Sequence, residues 1–289
     1  MSTVIKNPLT GQTLDLGLPG IVTGGDPTPL NHSRVVLWGK PGCGKSTLLH
    51  SCPHAFVIDT QAGSGSVPSP YAFSWPQAGT PFTYRGGLAV LEALITKRPE
   101  AIRVVGIDLF ADWVKAAQAD FCARHKVTDV NDALGGYGKG WTALYAELFG
   151  LLDGLVAAGY GVVLTGHATN EVVRTKSGEL ILSNLVLPNK VRESIGAWAD
   201  HVLWMERDSV TGLSEGKVVS TPVVTVRTRD LPGKFRGNQK EAIKVRLPLP
   251  ESFQVPAQQG WTRLEEVFNA AIKELKAGYL TVAPTSATV

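Results

Sequence analysis

A glycine-rich run at residues 39–47 places the tightest constraint on how this chain can fold. It fits the pattern G-x-x-x-x-G-K-[ST] and reads Gly39-Lys40-Pro41-Gly42-Cys43-Gly44-Lys45-Ser46-Thr47. The residues before it are apolar and favour a buried strand, and those after Lys45 suit the first turn of a helix. Strand, glycine loop and helix in this order predict a phosphate-binding loop; the alternative is a glycine-rich turn with a chance lysine.

The residue types in this loop suit a bound triphosphate. Gly39, Gly42 and Gly44 carry no Cβ, so backbone N–H groups can turn toward phosphate oxygens. The helix that follows points its positive end at the same anion. We expect Lys45 to reach the β- and γ-phosphates and the Ser46 hydroxyl to be a ligand of Mg²⁺. The sequence therefore predicts that the chain binds a nucleoside triphosphate with Mg²⁺.

Composition indicates an ordinary globular protein. The chain has 289 residues, of which 44% are apolar and 18% charged, and its net charge of +3 gives no global basic field. Any nucleic-acid surface must therefore be local. Three cysteines without C-x-x-C spacing predict free thiols in a reducing cytosol. With no signal peptide and no apolar run of about 18 residues, we expect a cytoplasmic protein without a membrane span.

Strand and helix patterns alternate along the chain from residue 34. Buried strands are predicted at 34–39, 55–59, 102–108, 160–166 and 200–206, and helices at 45–51, 87–97, 109–124, 141–158 and 188–198. This alternation predicts an α/β fold whose mainly parallel sheet has helices on both faces. A β-rich segment (218–229) and an amphipathic helix (261–275) follow. The predicted division is an extended lead-in (1–33), a core (34–250) and a C-terminal helix with a tail (251–289).

Three segments between these elements read as loops or turns. Residues 60–80 are rich in Gly, Ser and Pro, which suits an irregular loop. Residues 126–140 contain too many glycines for a packed element, so we predict a mobile loop there. Two short β-patterns at 170–175 and 179–183 flank Lys-Ser-Gly and predict a β-hairpin.

Four polar residues lie at or just past the carboxyl ends of predicted strands: Lys45, Gln61, Asp108 and His167. Ligands bind at the carboxyl ends of parallel strands, so we expect these side chains to converge. Asp108 ends an apolar strand downstream of the phosphate loop, and we expect it to hold Mg²⁺ through a water. The alternative for Asp108 is a cap of the helix that follows it.

Further motifs occur in an order that resembles a known family. They are the phosphate loop, residues 56–63, the Asp108 strand, Tyr137-Gly138-Lys139-Gly140-Trp141 and Val163-Leu164-Thr165-Gly166-His167. Over about residues 34–235 the chain resembles the RecA-like P-loop ATPases that bacteriophages carry as single-strand annealing or recombination proteins. The resemblance implies a RecA-like core, ATP and Mg²⁺, single-stranded DNA, a homo-oligomeric ring or filament, a single-strand DNA-binding protein as a candidate partner, and the host cytoplasm.

The resemblance also implies roles for individual residues. His167 corresponds to a sensor that reports the γ-phosphate to a DNA-binding loop; the alternative is a hydrogen-bonded histidine at the sheet edge. Arg227 and Arg229 correspond to a basic pair that reaches the nucleotide of a neighbouring subunit. Segments around 126–140 and 168–187 correspond to DNA-facing loops, with candidate contacts at Lys126, Tyr137, Lys139, Arg174 and Lys176. Single-strand binders combine basic side chains with aromatic stacking faces, which Tyr137 and Trp141 could offer. The alternative is that the basic residues are solvated loop side chains and that Trp141 belongs to the core.

Gln61 departs from the family pattern. The family has a catalytic glutamate where Gln61 stands, and an amide cannot accept a proton from water. A general base contributes about 10²–10⁴ in rate, so we expect slow hydrolysis unless Asp59, on the same strand face, substitutes. The alternative for Asp59 is a turn cap. On this interpretation a Gln61→Glu variant is faster than the wild type.

The sequence thus predicts a DNA-dependent ATPase that binds single-stranded DNA and promotes annealing or homologous recombination. Two alternatives stay open. One is a helicase or loader-type motor, and the other is a nucleotide-binding regulatory protein that hydrolyses almost no ATP.

Overall fold

The computed structural model describes residues 4–6, 13–15, 27–61, 69–74, 81–175, 178–214, 217–229, 243–256 and 259–281, without the side chains of 4–6, 13–15, 170–182, 210–222 and 278–281. Its strands are β1 (Val4–Lys6), β2 (Thr13–Asp15), β3 (Arg34–Gly39), β4 (Ala55–Asp59), β5 (Tyr71–Ser74), β6 (Val104–Asp108), β7 (Gly161–Thr175), β8 (Gly178–Leu185), β9 (His201–Ser214), β10 (Lys217–Arg227) and β11 (Ser252–Val255). Its helices are α1 (Lys45–His50), α2 (Tyr84–Lys97), α3 (Phe110–His125), α4 (Lys139–Ala157), α5 (Asn189–Trp198) and α6 (Gly260–Thr281).

A mixed sheet forms the centre of the described residues. Its order is β11-β10-β9-β3-β7-β6-β4-β5, with β8 paired to β7 outside this path. The strands from β9 to β5 run parallel, whereas β10, β11 and β8 are antiparallel to their neighbours. The predicted α/β fold with a mainly parallel sheet is confirmed. Parallel neighbours bring the carboxyl ends of β3, β4, β6 and β7 to one edge.

Helices cover both faces of this sheet because its central strands are apolar on both sides. Val36 and Trp38 of β3 pack with α2, α3, α4 and α5 in one hydrophobic cluster. Val35 and Leu37 of the same strand pack with α1 and α6 in another. We call the second side the α1 face.

The segment between α3 and α4 is more ordered than its glycine content predicts. A 3₁₀ turn at Val130–Gly135 interrupts the predicted loop, and Val130 and Ala133 are buried. Gly140 is required there, because a Cβ on it would lie 2.0 Å from the Val130 carbonyl oxygen. The prediction of an unpacked loop over 126–140 is therefore wrong for this part, since two small apolar side chains suffice to pack the turn against α4.

Two strands run on past the parallel part of the sheet. β7 has 15 residues and β9 has 14, and each continues into an antiparallel hairpin with the strand that follows it. The β7–β8 hairpin confirms the predicted hairpin at 170–183. The sheet also contains β5, a strand that the sequence did not predict. It lies within residues 60–80, which were predicted to form an irregular loop, and it pairs with β4.

The C-terminal part of the chain completes the α1 face. β11 extends the sheet beside β10, and the buried Trp261 at the start of α6 donates its backbone N–H to the Ser51 hydroxyl at 2.9 Å. The indole of Trp261 also donates to the Asn31 amide oxygen at 3.2 Å. None of the helices in the described ranges is both long and apolar enough to cross a membrane.

Candidate nucleotide site

The glycine loop leaves the sheet at the carboxyl end of β3, between β7 and β9. Gly39 has no room for a side chain, since a Cβ there would lie 2.1 Å from the Met205 carbonyl oxygen. Gly42 and Gly44 have φ values of 76° and 99°, which L-residues with side chains rarely adopt. Two independent constraints, close packing and left-handed backbone, therefore explain the glycines, and together they set a tight turn into α1.

Lys45 lies buried within this loop. Its ammonium group donates to the carbonyl oxygens of Gly39 at 3.2 Å and Lys40 at 3.0 Å and lies 3.6 Å from the Cys43 sulfur. Within the described ranges no carboxylate forms an ion pair with it. Neutral carbonyls thus hold a full positive charge at the loop, which suits a phosphate as the anion that compensates it.

Asp59 and Asp108 lie side by side at the carboxyl edge. They are directly paired in the parallel register of β4 and β6, and both are buried. Asp59 accepts hydrogen bonds from the Gln61 backbone N–H at 2.9 Å and the Ser74 hydroxyl at 3.2 Å. Asp108 accepts a short hydrogen bond from the Thr165 hydroxyl. Strand alternation places both carboxylates on the α1 face, where the first turn of α1 lies.

Asp108 and Ser46 fit a divalent cation. Asp108 is a buried carboxylate that, among the described residues, has no lysine or arginine in an ion pair. A carboxylate and a hydroxyl oxygen suit Mg²⁺, which binds through one or two protein oxygens, waters and substrate phosphates. Bound there, the ion would neutralise charge that develops on the phosphates.

The buried His50 and the half-buried His167 lie close enough to the acidic pair for its charge to affect their pKa values. Burial lowers the pKa of His167, the charge of Lys45 lowers it further, and Asp108 and Asp112 partly offset both effects. Burial likewise lowers the pKa of His50, against the opposite effect of Asp108 and Asp59. Among the described residues, the two ring nitrogens of His50 have no hydrogen-bond partner, and neither does the Nδ1 of His167. At neutral pH both imidazoles are therefore uncharged and can still donate a hydrogen bond.

Gln61 is held by a residue that sequence reasoning missed. Its amide nitrogen donates to the Asp112 carboxylate at 2.6 Å, and the Thr60 hydroxyl lies 3.4 Å from the same oxygen. The Thr60 hydroxyl in turn accepts from the Leu109 backbone N–H at 3.0 Å. The position of Asp112 in the sequence could have indicated this contact, because Asp112 stands in the first turn of the helix that follows Asp108. Thr165 was also missed, although it stands two residues before His167 and so shares its strand face.

The sequence matches the AAA domain family over residues 31–237, most of the chain. The chain belongs to the AAA domain family. A search of curated protein sequences gives no match. This AAA domain protein is accordingly a P-loop, nucleotide-binding ATPase, of a type that uses ATP and usually Mg²⁺. The matched region contains every residue of the site described above and ends before β11 and α6.

Beside its glycine loop the AAA domain has a cleft of about 180 Å³. Its walls are largely apolar and come from α1, β10 and the end of β11, with the Arg207 side chain at one side. The lining residues include Gly44, Thr47, Leu48, Val224 and Val255. Because it adjoins the phosphate loop at Thr47, this cleft suits the base and ribose of a nucleotide, for which the sequence offered no candidate contacts.

The two arginines predicted to reach a neighbouring subunit differ in their contacts. Arg227 is paired with Glu206 on the adjacent strand β9 of the AAA domain. Arg229 lies 3.3 Å from Glu251, and both side chains are exposed, at 62% and 79%. Arg229 is therefore the freer of the two to make a contact outside its own chain.

The predicted DNA contacts lie on different elements and differ in exposure. Lys126 caps the far end of α3, a 16-residue helix about 24 Å long that begins near Asp108. Tyr137 is fully exposed, and Lys139 is the first residue of α4. Trp141 is half-buried, and its indole donates to Asn131 at 2.9 Å, which fits the alternative of a packing residue. The Arg174 side chain and all of Lys176 lie outside the described residues.

Proposed function

We propose that this AAA domain protein is an ATPase that binds single-stranded DNA and promotes its annealing or pairing with a homologous strand. The observation that carries the proposal is the position of His167 at a junction. The last β3–β7 pair joins Gly39 to His167, and the first pair of the β7–β8 hairpin joins Ala168 to Leu185. The His167 carbonyl also accepts from Val186 at 2.9 Å. A change at His167 on loss of a γ-phosphate would thus act on the hairpin through one continuous strand.

A second surface supports DNA as the partner. Five consecutive residues, 134–138, have positive φ values between 53° and 84°, and they hold the Tyr137 side chain fully exposed. Lys139 follows at the N-terminus of α4, and the Lys190 ammonium group lies 3.9 Å from where a Cβ on Gly138 would be. An aromatic face with positive charge beside it suits a stacked base and its phosphate.

The site residues divide the work of phosphoryl transfer. Lys45 and the loop N–H groups bind the β- and γ-phosphates and stabilise the charge that develops on them. Ser46 and Asp108 would hold Mg²⁺, and His167 would donate a hydrogen bond to the γ-phosphate. Asp59 already accepts two hydrogen bonds, which favours its structural role over that of a general base. Turnover is therefore slow.

ATP turnover measured with and without single-stranded DNA tests this function. We expect the DNA to raise turnover, and ATP to raise the affinity for DNA, which should fall steeply as salt increases. A His167→Ala variant should still bind ATP but lose the effect of ATP on DNA affinity. ATP-driven unwinding of a duplex would instead favour a helicase or loader-type motor. Tight ATP binding with no turnover and no DNA binding would favour a regulatory protein.

A mixing experiment tests the homo-oligomer. A Lys45→Met subunit cannot use its own site, and an Arg229→Ala subunit lacks the arginine proposed to reach a neighbour. If sites form between subunits, a mixture of the two inactive variants regains turnover, because some interfaces combine an intact Lys45 with an intact Arg229. A mixture that stays as inactive as its components would rule out this role for Arg229.

A further inference from the structure

The contact between Gln61 and Asp112 restricts the orientation of an amide at the carboxyl edge. A carboxylate accepts hydrogen bonds and cannot donate them, so only the nitrogen of the Gln61 amide can face Asp112 at 2.6 Å. The amide oxygen must then point the other way. Asp112 is itself held in place, because it belongs to the first turn of α3 and lies 3.4 Å from the Thr60 hydroxyl.

We propose that Asp112 is a positioning residue that turns the Gln61 amide oxygen toward the water that attacks the γ-phosphate. This inference rests on the proposed ATPase function. In the step, the water oxygen bonds to the γ-phosphorus and the bond from that phosphorus to the β–γ bridging oxygen breaks. ADP leaves, and the proton of the water passes to the phosphate product. Gln61 orients the water through one hydrogen bond and takes no proton.

The charges around Gln61 determine what a glutamate at this position would do. Three carboxylates surround Gln61: Asp59 at the end of β4, Asp108 next to Asp59 at the end of β6, and Asp112 on α3. His167 on β7 and the ammonium group of Lys45 in the glycine loop complete the set of titratable groups at this edge. Gln61→Glu would place a second carboxylate about 3 Å from Asp112 in place of the hydrogen bond. Two carboxylates at this distance repel one another. The introduced side chain would then turn away from Asp112 and lose the orientation that the amide has.

This reverses the expectation drawn from the sequence alone. Gln61→Glu by itself should be no faster than the wild type. When Asp112→Asn accompanies it, an amide nitrogen at position 112 can donate to the introduced carboxylate and restore its orientation. The same Asp112→Asn change in the wild-type background should slow turnover, because an amide facing an amide permits Gln61 to flip. One substitution is thus expected to have opposite effects in the two backgrounds.

The test compares four full-length proteins: wild type, Asp112→Asn, Gln61→Glu and the double variant. ATP turnover at saturation and the affinity for ATP are measured separately for each. We expect Asp112→Asn alone to lower turnover about tenfold, the effect of one misplaced hydrogen bond on the barrier, with ATP affinity unchanged. We expect the double variant to exceed Gln61→Glu by about tenfold or more.

Asp120→Asn is the matched control, because Asp120 lies on the same helix but pairs with Arg85 and Arg124 at the surface. It should leave turnover unchanged. The proposal is overturned if Asp112→Asn lowers turnover equally in both backgrounds, as a purely structural role requires, or if Gln61→Glu alone exceeds the wild type. Absence of turnover in all four proteins would instead overturn the ATPase function together with the positioning role.

Discussion

Charged side chains lie at both edges of the same sheet, but they are neutralised in different ways. At the amino edge Asp200 accepts from Arg34 at 2.8 Å and lies 3.1 Å from Arg246. At the carboxyl edge Lys45 is held by backbone carbonyls and Asp108 by the Thr165 hydroxyl. The amino-edge cluster (Arg34, Asp200 and Arg246) therefore contains its own counter-charges, whereas Lys45 and Asp108 have neutral partners.

This difference indicates what each edge does. A charge in or near a protein interior is costly unless an opposite charge or strong hydrogen bonds compensate it. The amino-edge cluster meets this condition within the chain, which fits a role in stability. At the carboxyl edge a phosphate would complement Lys45 and a divalent cation would complement Asp108. The two edges should accordingly respond to substitution in opposite ways.

The largest expected effect is loss of turnover on removal of the Lys45 charge. Lys45→Met keeps an unbranched side chain of similar length but cannot stabilise the phosphate charge in the transition state. We expect ATP turnover to fall by about 10²–10³-fold, with weaker ATP binding. Thermal unfolding should change little, because the substitution removes hydrogen bonds to the Gly39 and Lys40 carbonyls but also removes a buried charge that has no carboxylate partner among the described residues. Turnover within tenfold of the wild type would contradict the assignment of Lys45.

The next largest effect is expected at the amino edge, where His201 should make the free energy of unfolding depend on pH. Burial lowers the pKa of His201 from 6.5 to about 4, Asp200 opposes this, and Arg246 and Lys244 reinforce it. The ring also packs edge-on against Phe268, 4.8 Å away. As the pH falls from 6.5 toward 4, the unfolded chain takes up a proton that the folded protein does not. The free energy of unfolding should therefore fall over this range, by at most about 3 kcal/mol.

Urea unfolding at a series of pH values measures this effect. A His201→Leu variant has no such proton to bind, so its stability should vary less between pH 6.5 and 4 than that of the wild type. His167→Leu is the comparison from the other edge and should flatten the profile less, because that side chain is only half-buried and Asp108 and Asp112 partly offset the lowering of its pKa. If both variants flatten the profile equally, the contrast between the edges does not extend to their histidines.

Asp200→Asn should produce the third effect, a loss of stability without a loss of turnover. Burial favours the neutral form of Asp200, but the hydrogen bonds and charge of Arg34 outweigh it and lower the pKa of the carboxyl. The ion pairs are thus complete above the ordinary pKa of 3.8 and are lost only as the pH falls through the lowered value. Since the side chain of Asp200 is 13% exposed, we expect a cost of about 2 kcal/mol, between surface and buried pairs.

Chemical unfolding at pH 7 and ATP turnover of the same Asp200→Asn sample check this. Asp153→Asn is the comparison, since among the described residues Asp153 accepts one hydrogen bond, at 2.8 Å from the indole of Trp198, and acts on Arg34 only through its charge. Turnover that falls in proportion to stability would show that the amino edge also contributes to the reaction.

Sequence patterns predicted the elements that local rules determine. The glycine loop, the strand before it and the strand that ends at Asp108 all follow from short runs of residue types, and the parallel order follows from alternation of strands and helices. These rules also predicted that Asp108 and His167 lie at one edge of the sheet. The sequence did not predict that Asp59 and Asp108 are neighbours, which follows from the register of β4 and β6.

Contacts between distant segments could not be predicted in this way. Gln61 and Asp112 are 51 residues apart, and nothing in either local pattern brings an amide to a carboxylate. The 3₁₀ turn packs because Gly140 admits the Val130 carbonyl, which depends on the path of α4. The pairing of Arg227 with Glu206 follows from the register of β9 and β10, which the β-rich pattern alone did not specify.

The smallest effect should come from Arg246, the exposed member of the amino-edge cluster. Its side chain is 55% exposed, against 25% for Arg34, so water compensates much of its charge. We expect Arg246→Ala to lower the free energy of unfolding at pH 7 by less than about 1 kcal/mol. Because Arg246 also helps to hold the pKa of His201 down, its removal should lessen the loss of stability as the pH falls toward 4.

The double variant Asp200→Asn with Arg246→Ala decides whether the amino-edge cluster acts as pairs or as a unit. Once Asp200 has lost its charge, Arg246 has no partner there, so its removal should cost nothing further or stabilise the protein slightly. A cost that simply adds to that of Asp200→Asn would mean that Arg246 acts on stability through other contacts. The amino edge would then depend less on its internal counter-charges than the comparison with the carboxyl edge requires.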